Sequence, residues 1–231
     1  MKRNSDNSPN TSRSISNPVR EYKVWELEKQ AKVLLAAAFP SSLSIPVEIE
    51  DVAFHLGLEI NPIPGLQTAC QVCGALWRDC QDQYWIVVDE FIMDHREARY
   101  RFTMAEEIAH YVLHKEHIDA AKDIAGALKL QEKLKDNYRY VEANTRRLAA
   151  ALLMPQDPLR ADAASAYREV VRVIAFRNLD ALKNQVTDML RRKYAVSSQA
   201  MQYRLVHYPL KADEAIQKAF AAHSADLWGN P

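Results

Sequence analysis

Residues 101–114 have the sequence RFTMAEEIAHYVLH, and the interpretation of the whole chain depends on this stretch. Its apolar residues recur at helical spacing, which predicts a helix over about 103–114. On a helix, Glu106 and His110 are four residues apart and share a face. The two histidines of an H-E-x-x-H metal helix have this spacing, with Glu106 here in place of the first histidine. Glu107 then occupies the position of that motif's general base.

Two other interpretations use the same residues. Thr103 and Glu106 have the spacing of a capping box, in which Thr103 begins the helix and Glu106 bonds back to its N–H. His114 lies one turn beyond His110, so these two histidines form an alternative ligand pair that leaves Glu106 as a cap. Because His114 falls in the last predicted turn, where the helix dipole favours histidine, it also has a purely structural explanation.

The remaining apolar patterns predict an α+β protein with a small sheet. Aromatic and β-branched residues at 75–78 and 84–88 predict a β-hairpin with a loop of about five residues. Residues 58–62 are expected to be extended, after a short helix that ends at Gly57. Further helices are predicted over about 22–38, 138–153, 163–176, 179–193 and 198–207, and from 211 onward.

Composition excludes several classes of protein but indicates no function. The chain has 231 residues, 48% of them hydrophobic, with 30 Lys and Arg against 30 Asp and Glu. Such a chain is able to build a globular core. No apolar run approaches the roughly 20 residues of a membrane span, and the Ser/Asn-rich start lacks a secretory signal, so a cytoplasmic protein without membrane contact is expected.

The three cysteines are a weak signal. Cys70 and Cys73 form a C-x-x-C pair, with Cys80 nearby. A structural zinc site needs four ligands, and no second C-x-x-C pair exists, although His55 offers a nitrogen donor. A redox pair of the thioredoxin kind needs a βαβ context, which the predicted elements lack. The pattern therefore favours ordinary reduced thiols beside the hairpin.

Four segments together resemble one known family, the ImmA/IrrE metallo-endopeptidases. Residues 101–114 resemble the family's zincin helix, and EANTRRLAAALLMP at 142–155 resembles its E-A-N-x-x-x-x-A-A-x-L-L-M-P helix. Residues 45–57 are similar to the family's preceding helix, and 74–77 are similar to its hairpin. The resemblance covers roughly residues 20–155, and its four segments occur in the family's order.

The resemblance implies a zincin-like core laid out like that of thermolysin. By position in the family's motifs, the metal ligands are Glu106, His110 and Glu142, and the general base is Glu107. The implied cofactor is a divalent metal, with zinc the first expectation. The implied substrate is a protein, a helix–turn–helix transcriptional repressor of stress or mobile-element regulation. An extended substrate is expected to add to a free edge of the strand at 84–89.

Glu106 alters what such a site can do. Two carboxylates and one imidazole neutralise a divalent cation and weaken its pull on water. Oxygen-rich ligand sets also suit Mn²⁺ or Fe²⁺ better than three imidazoles do. The sequence therefore predicts a metal-dependent endopeptidase. The alternative is a catalytically weak or inactive family member that acts as a repressor- or DNA-binding regulator.

The chain is predicted to divide into three parts. Residues 1–18 have hardly any apolar side chains and are expected to be a disordered tail. Residues 19–155 are expected to form the zincin-like core. Residues 156–231 are expected to form a helical region with a helix–turn–helix-like pair at about 179–207 and a C-terminal tail.

The helix–turn–helix-like pair lies in a locally basic part of the chain. Residues 138–211 contain 13 Lys or Arg against 6 Asp or Glu. Gln199, Gln202 and Arg204 of the second helix are weak candidates for substrate or nucleic-acid contacts, so DNA is a possible partner. The competing interpretation is a helical pair that packs on the core. One copy makes few phosphate contacts, so tight DNA binding needs a dimer or a partner.

Overall fold

The computed structural model describes residues 20–120, 138–173 and 178–227. Within these ranges the chain forms ten helices and three strands. The predicted tail over 1–18 lies outside the described residues, and so does the end of the helix predicted over 163–176. No helix in the described ranges is both long enough and apolar enough to cross a membrane.

The elements are, in chain order, α1 (Val24–Ala38), α2 (Ile49–His55), β1 (Leu58–Ile63), α3 (Leu66–Cys70), β2 (Gly74–Arg78), β3 (Tyr84–Asp89), α4 (Glu90–His95), α5 (Glu97–Ala120), α6 (Tyr138–Leu153), α7 (Gln156–Val173), α8 (Leu179–Lys193), α9 (Ser198–Val206) and α10 (Ala212–Leu227).

The three strands form one small mixed sheet in the order β1-β3-β2. β2 pairs antiparallel with β3, with Leu76 opposite Ile86, which confirms the predicted hairpin. β1 runs parallel to β3, with Ile60 opposite Ile86. Buried and half-buried residues alternate along most of β3, so one face of the sheet is covered and the other is open.

The prediction that the strand at 84–89 offers a free edge is wrong. β3 lies between β1 and β2, and its backbone groups are paired on both sides. The sequence did not reveal this because β1 is separated from β3 by α3 and β2, and a parallel pairing over such a distance leaves no local pattern. Among the described strands, β1 and β2 are the outer ones.

α5 is longer than the sequence pattern indicates. It begins at Glu97 and ends at Ala120, so Thr103 lies well inside the helix. An N-cap residue has to precede the first helical turn. The capping-box interpretation of Thr103 and Glu106 is therefore wrong, and Glu106 is available for another role.

α5 packs against the covered face of the sheet and against α6. It contacts β2 and β3 on one side and α6 on another. Met104 and Ile108 of α5 are fully buried, as are Ile86 and Val88 of β3. α6, which ends at Leu153 as predicted, lies against both α1 and α5. The residues of α5 are thereby fixed against two neighbouring surfaces.

Two short helices, α3 and α4, were not predicted. Asp89 at the end of β3 connects them, because its two carboxylate oxygens accept from different backbone groups. The N–H of Ile92 in α4 donates to Oδ1 at 3.1 Å, and the N–H of Gln67 in α3 donates to Oδ2 at 2.9 Å. Asp89 is buried, so these bonds satisfy a carboxylate that is otherwise costly to bury.

The helices beyond Pro155 pack on the same core. One continuous cluster of buried apolar residues includes Leu152 of α6, Leu182 of α8 and Met201 of α9. Arg204 of α9 is also buried. Its Nη2 donates to the Glu28 carboxylate and to the carbonyl oxygen of Met154, at 2.9 Å in both cases. The division of the chain at residue 155 stays a prediction.

Arg204→Ala is expected to lower the free energy of unfolding by about 3 kcal/mol, because it leaves the Glu28 carboxylate, whose side chain is 12% exposed, without its partner. Urea unfolding followed by circular dichroism measures the change. Gln202→Ala, at an exposed position of the same helix, is the control and should change stability by less than about 0.5 kcal/mol. Equal stability of the two variants would contradict this function of Arg204.

Candidate functional site

The predicted ligand residues of α5 and α6 meet between the two helices. Nε2 of His110 lies 3.9 Å from Oε1 of Glu142, and the side chains of both residues are about one quarter exposed, at 26% and 23%. Glu106 precedes His110 by one helical turn and lies on the same side of α5. The helix pair thus brings together residues that are far apart in the sequence.

Arg146 joins the two carboxylates of this site. Its Nε lies 3.5 Å from Oε1 of Glu106, and its Nη2 lies 3.4 Å from Oε2 of Glu142. Glu142 and Arg146 are one turn apart on α6, which is a favourable spacing for an ion pair. Sequence reasoning missed Arg146, although its spacing from Glu142 is a signal that the sequence contains.

Burial and charge shift the pKa values of the predicted ligand residues. Burial raises the pKa of Glu106, the guanidinium of Arg146 opposes this shift, and the carboxylate of Glu142 adds to it. Burial lowers the pKa of His110, against the opposing effect of Glu142. The imidazole of His110 is therefore kept neutral, which is the form that binds metal ions.

Glu107 lies beside β2 and is half-buried. Burial is the main cause that raises the pKa of Glu107 to about 8, and the negative charges of Glu106 and Glu142 add to it. The backbone N–H of Leu76 in β2 donates to the Glu107 carboxylate and partly opposes the shift. Glu107 is thus a carboxyl group with a fixed orientation beside the ligand residues.

Gly74 allows β2 to approach α5 closely at this point. A Cβ atom at Gly74 would lie 2.5 Å from Cγ2 of Thr103 and 3.8 Å from Cγ of Glu107. The first distance is shorter than any van der Waals contact, so a larger residue here requires a shift of the Thr103 side chain, the strand or the helix. The hydrogen bond from Leu76 to Glu107 depends on this short separation.

The donor atoms fit a divalent metal ion by their chemistry. Two carboxylates and one imidazole are ligands for zinc, and they also suit Mn²⁺ and Fe²⁺. In their arrangement here, the described residues contain no group of three or more His, Cys, Asp or Glu side chains that could hold a metal ion. The cation between Glu106 and Glu142 is the guanidinium of Arg146.

The sequence also offered His114 as a metal ligand and three cysteines as a possible zinc or redox group. His114 is buried, and its ring centre is 5.5 Å from that of His110, so their pairing as ligands stays a prediction. Cys70, Cys73 and Cys80 are free thiols.

The nucleic-acid candidates of α9 differ in exposure. Gln199 and Gln202 are exposed, and Tyr203 beside them stacks on His207 with ring centres 3.9 Å apart. Arg204 points inward to Glu28, as described above. A contact made by the surface of α9 would therefore use the two glutamines and not Arg204.

The fold and the site define a class of protein. A helix with the E-E-x-x-H pattern packs on a small sheet and faces a second helix that carries a glutamate. This arrangement is a zincin-like α+β core, and a helical region follows it. A family model described as the IrrE N-terminal-like domain of peptidase family M78 matches residues 83–206. The match covers more than half of the chain, so the chain belongs to this family, which confirms the resemblance. No curated protein is a match for the chain.

Gly74→Ala is expected to lower the free energy of unfolding by about 1–3 kcal/mol, because the added methyl group overlaps Thr103 between β2 and α5. The double variant Gly74→Ala/Thr103→Ser lacks the methyl that causes the overlap and should recover most of the loss. Urea unfolding of both variants, with Thr103→Ser alone as the control, measures this recovery. If Gly74→Ala lowers the stability of wild type and of Thr103→Ser by the same amount, Gly74 does not set the distance between β2 and α5.

Proposed function

We propose that the chain is a metal-dependent endopeptidase whose site comprises Glu106, Glu107 and His110 of α5 and Glu142 of α6. The observation that supports this most directly is the approach of His110 and Glu142 to 3.9 Å, with Glu106 and Glu107 beside them. Membership of a peptidase family supports the hydrolysis of peptide bonds. The proposed ligands are Glu106, His110 and Glu142, with zinc as the first candidate and Mn²⁺ or Fe²⁺ as the others.

The proposed mechanism assigns proton transfer to Glu107. A bound divalent ion supplies Lewis-acid activation of the carbonyl and of water. With a pKa of about 8, Glu107 is mostly protonated at neutral pH, and the positive charge of a bound ion would favour its ionised form. The ionised Glu107 then accepts a proton from the water that attacks the peptide carbonyl, and gives this proton to the leaving amine. The N–H of Leu76 orients the carboxylate, and the close packing at Gly74 keeps it beside α5.

The proposed substrate is a protein, and the family resemblance favours a helix–turn–helix transcriptional repressor. β2 is an outer strand, and it carries Leu76, whose N–H donates to Glu107. An extended peptide that adds to the outer edge of β2 would therefore pass close to Glu107. DNA is a second proposed partner, through the exposed Gln199 and Gln202 of α9.

The second candidate function is a regulator without peptidase activity. The observation that favours it is the position of Arg146, whose guanidinium pairs with both carboxylates of the site. A chain that kept this arrangement permanently would retain the fold and a partner-binding surface without a metal ion.

Metal content separates these two candidates. After incubation with Zn²⁺ or Mn²⁺ and removal of the excess, the protein is expected to retain about one ion per chain, measured by elemental analysis. His110→Ala and Glu142→Ala should lose the ion, and its loss in Glu106→Ala would identify the carboxylate as a ligand. His55→Ala, at an exposed histidine of α2, is the control and should retain the ion. A wild-type chain that retains no metal would support the regulator.

Glu107→Gln is expected to reduce peptide cleavage by about 100-fold or more while metal content is unchanged, because the amide cannot accept the proton. Digestion of a library of proteome-derived peptides, followed by mass spectrometry, measures cleavage across many peptide sequences at once. Glu116→Gln, at an exposed glutamate of the same helix, is the matched control. Unchanged cleavage in Glu107→Gln would exclude Glu107 as the general base.

A further inference from the structure

We infer that Arg146 competes with the metal ion: its guanidinium holds Glu106 and Glu142 together until a divalent ion displaces it. The inference rests on the proposed metal site and goes beyond it, because it identifies a residue that is not a ligand but sets the affinity of the site for metal. Arg146 and the ion are then alternative partners of the same two carboxylates.

The geometry places one cation between two carboxylates from different helices. Nε and Nη2 of Arg146 are different nitrogens of one planar group, and each lies within 3.5 Å of a carboxylate oxygen of Glu106 or Glu142. A guanidinium is well suited to such a contact, because it presents several N–H donors in a fixed plane. The positive charge of Arg146 at both carboxylates opposes the approach of a second cation to the same site.

Glu106 is what makes this competition possible. With a neutral residue at that position, Arg146 would pair with Glu142 alone, one turn away on its own helix. The carboxylate of Glu106 adds a second acceptor from α5, so Arg146 connects α5 to α6. Without a cation, the two carboxylates would repel each other across the helix interface. Arg146 therefore compensates, in the absence of metal, for the charge that Glu106 adds.

The side chain of Arg146 is able to leave the site. It is 65% exposed, whereas those of Glu106 and Glu142 are 27% and 23% exposed. Arg146 thus reaches the carboxylates from the solvent side, and its departure uncovers them without any movement of buried groups. A divalent ion brings twice the charge of a guanidinium to the same two carboxylates, so it is able to replace Arg146.

The size of the expected effect follows from the exposure of the pairs. Each of these ion pairs is partly exposed and therefore contributes little free energy. An incoming ion has to break both pairs, which reduces metal affinity by roughly five- to tenfold. The neighbouring Arg147 offers a matched control. It lies on the same helix and carries the same charge, but it lines a separate surface cavity with Glu21 and Tyr208.

The experiment is a Zn²⁺ titration of the metal-free full-length chain by competition with a fluorescent chelator. Arg146→Gln is expected to bind Zn²⁺ about five- to tenfold more tightly than wild type, and Arg147→Gln to bind it about as tightly as wild type. Arg146→Lys keeps the charge but loses the planar group that reaches both carboxylates, so its affinity should be intermediate. An affinity of Arg146→Gln that equals or falls below that of wild type would overturn the inference.

Thermal unfolding of the same proteins adds a readout that does not require catalysis. Metal-free Arg146→Gln should melt at a lower temperature than metal-free wild type, because its carboxylates lose their counter-ion. Zn²⁺ should then raise its melting temperature by more than it raises that of wild type. If wild type and Arg146→Gln bind Zn²⁺ equally, the metal site stands and the competition is excluded. If neither protein binds Zn²⁺ or Mn²⁺, both the metal site and the competition are overturned.

Discussion

The packing of α5 against β2 on one side and α6 on another is the constraint on which the rest of the structure depends. Gly74 lets β2 approach closely enough for the N–H of Leu76 to reach Glu107. The neighbouring face of α5 directs His110 and Glu106 at α6, where Glu142 and Arg146 meet them. Consecutive residues of one helix, Glu106 and Glu107, can therefore have different neighbours and different roles. The proposed mechanism requires a base that lies beside the proposed ligands without being one of them, and the position of Glu107 suits that role.

The charge balance of the site follows from one residue. Glu106 brings a second carboxylate to the site, and Arg146 supplies the compensating positive charge. The family membership supports a peptidase, and the donor atoms suit a divalent ion. In the structure the two carboxylates hold the guanidinium, and under the proposal an ion would replace it.

Local patterns predicted much of the fold, and non-local contacts account for what they missed. The end of α6 agrees with the prediction because a proline follows it, and the β2–β3 hairpin agrees because aromatic and β-branched residues mark its strands. α7 begins at Gln156, earlier than predicted, since Pro158 fits the first turn of a helix. The parallel pairing of β1 with β3 and the burial of Arg204 against Glu28 depend on partners far away in the chain. The motifs indicated Glu106, Glu107, His110 and Glu142, whereas Arg146 became evident only when α5 and α6 were placed together.

Zinc K-edge X-ray absorption of the zinc-loaded protein tests the central claim most directly, namely that α5 and α6 together supply one site of nitrogen and oxygen donors. The account predicts a first shell of nitrogen and oxygen at about 2.0–2.1 Å with the scattering pattern of one imidazole, and His110→Ala treated in the same way should give no zinc absorption edge. A shell with sulfur at about 2.3 Å, or a spectrum that His110→Ala leaves unchanged, would contradict the account, because the ion would then be bound by cysteines or by other histidines.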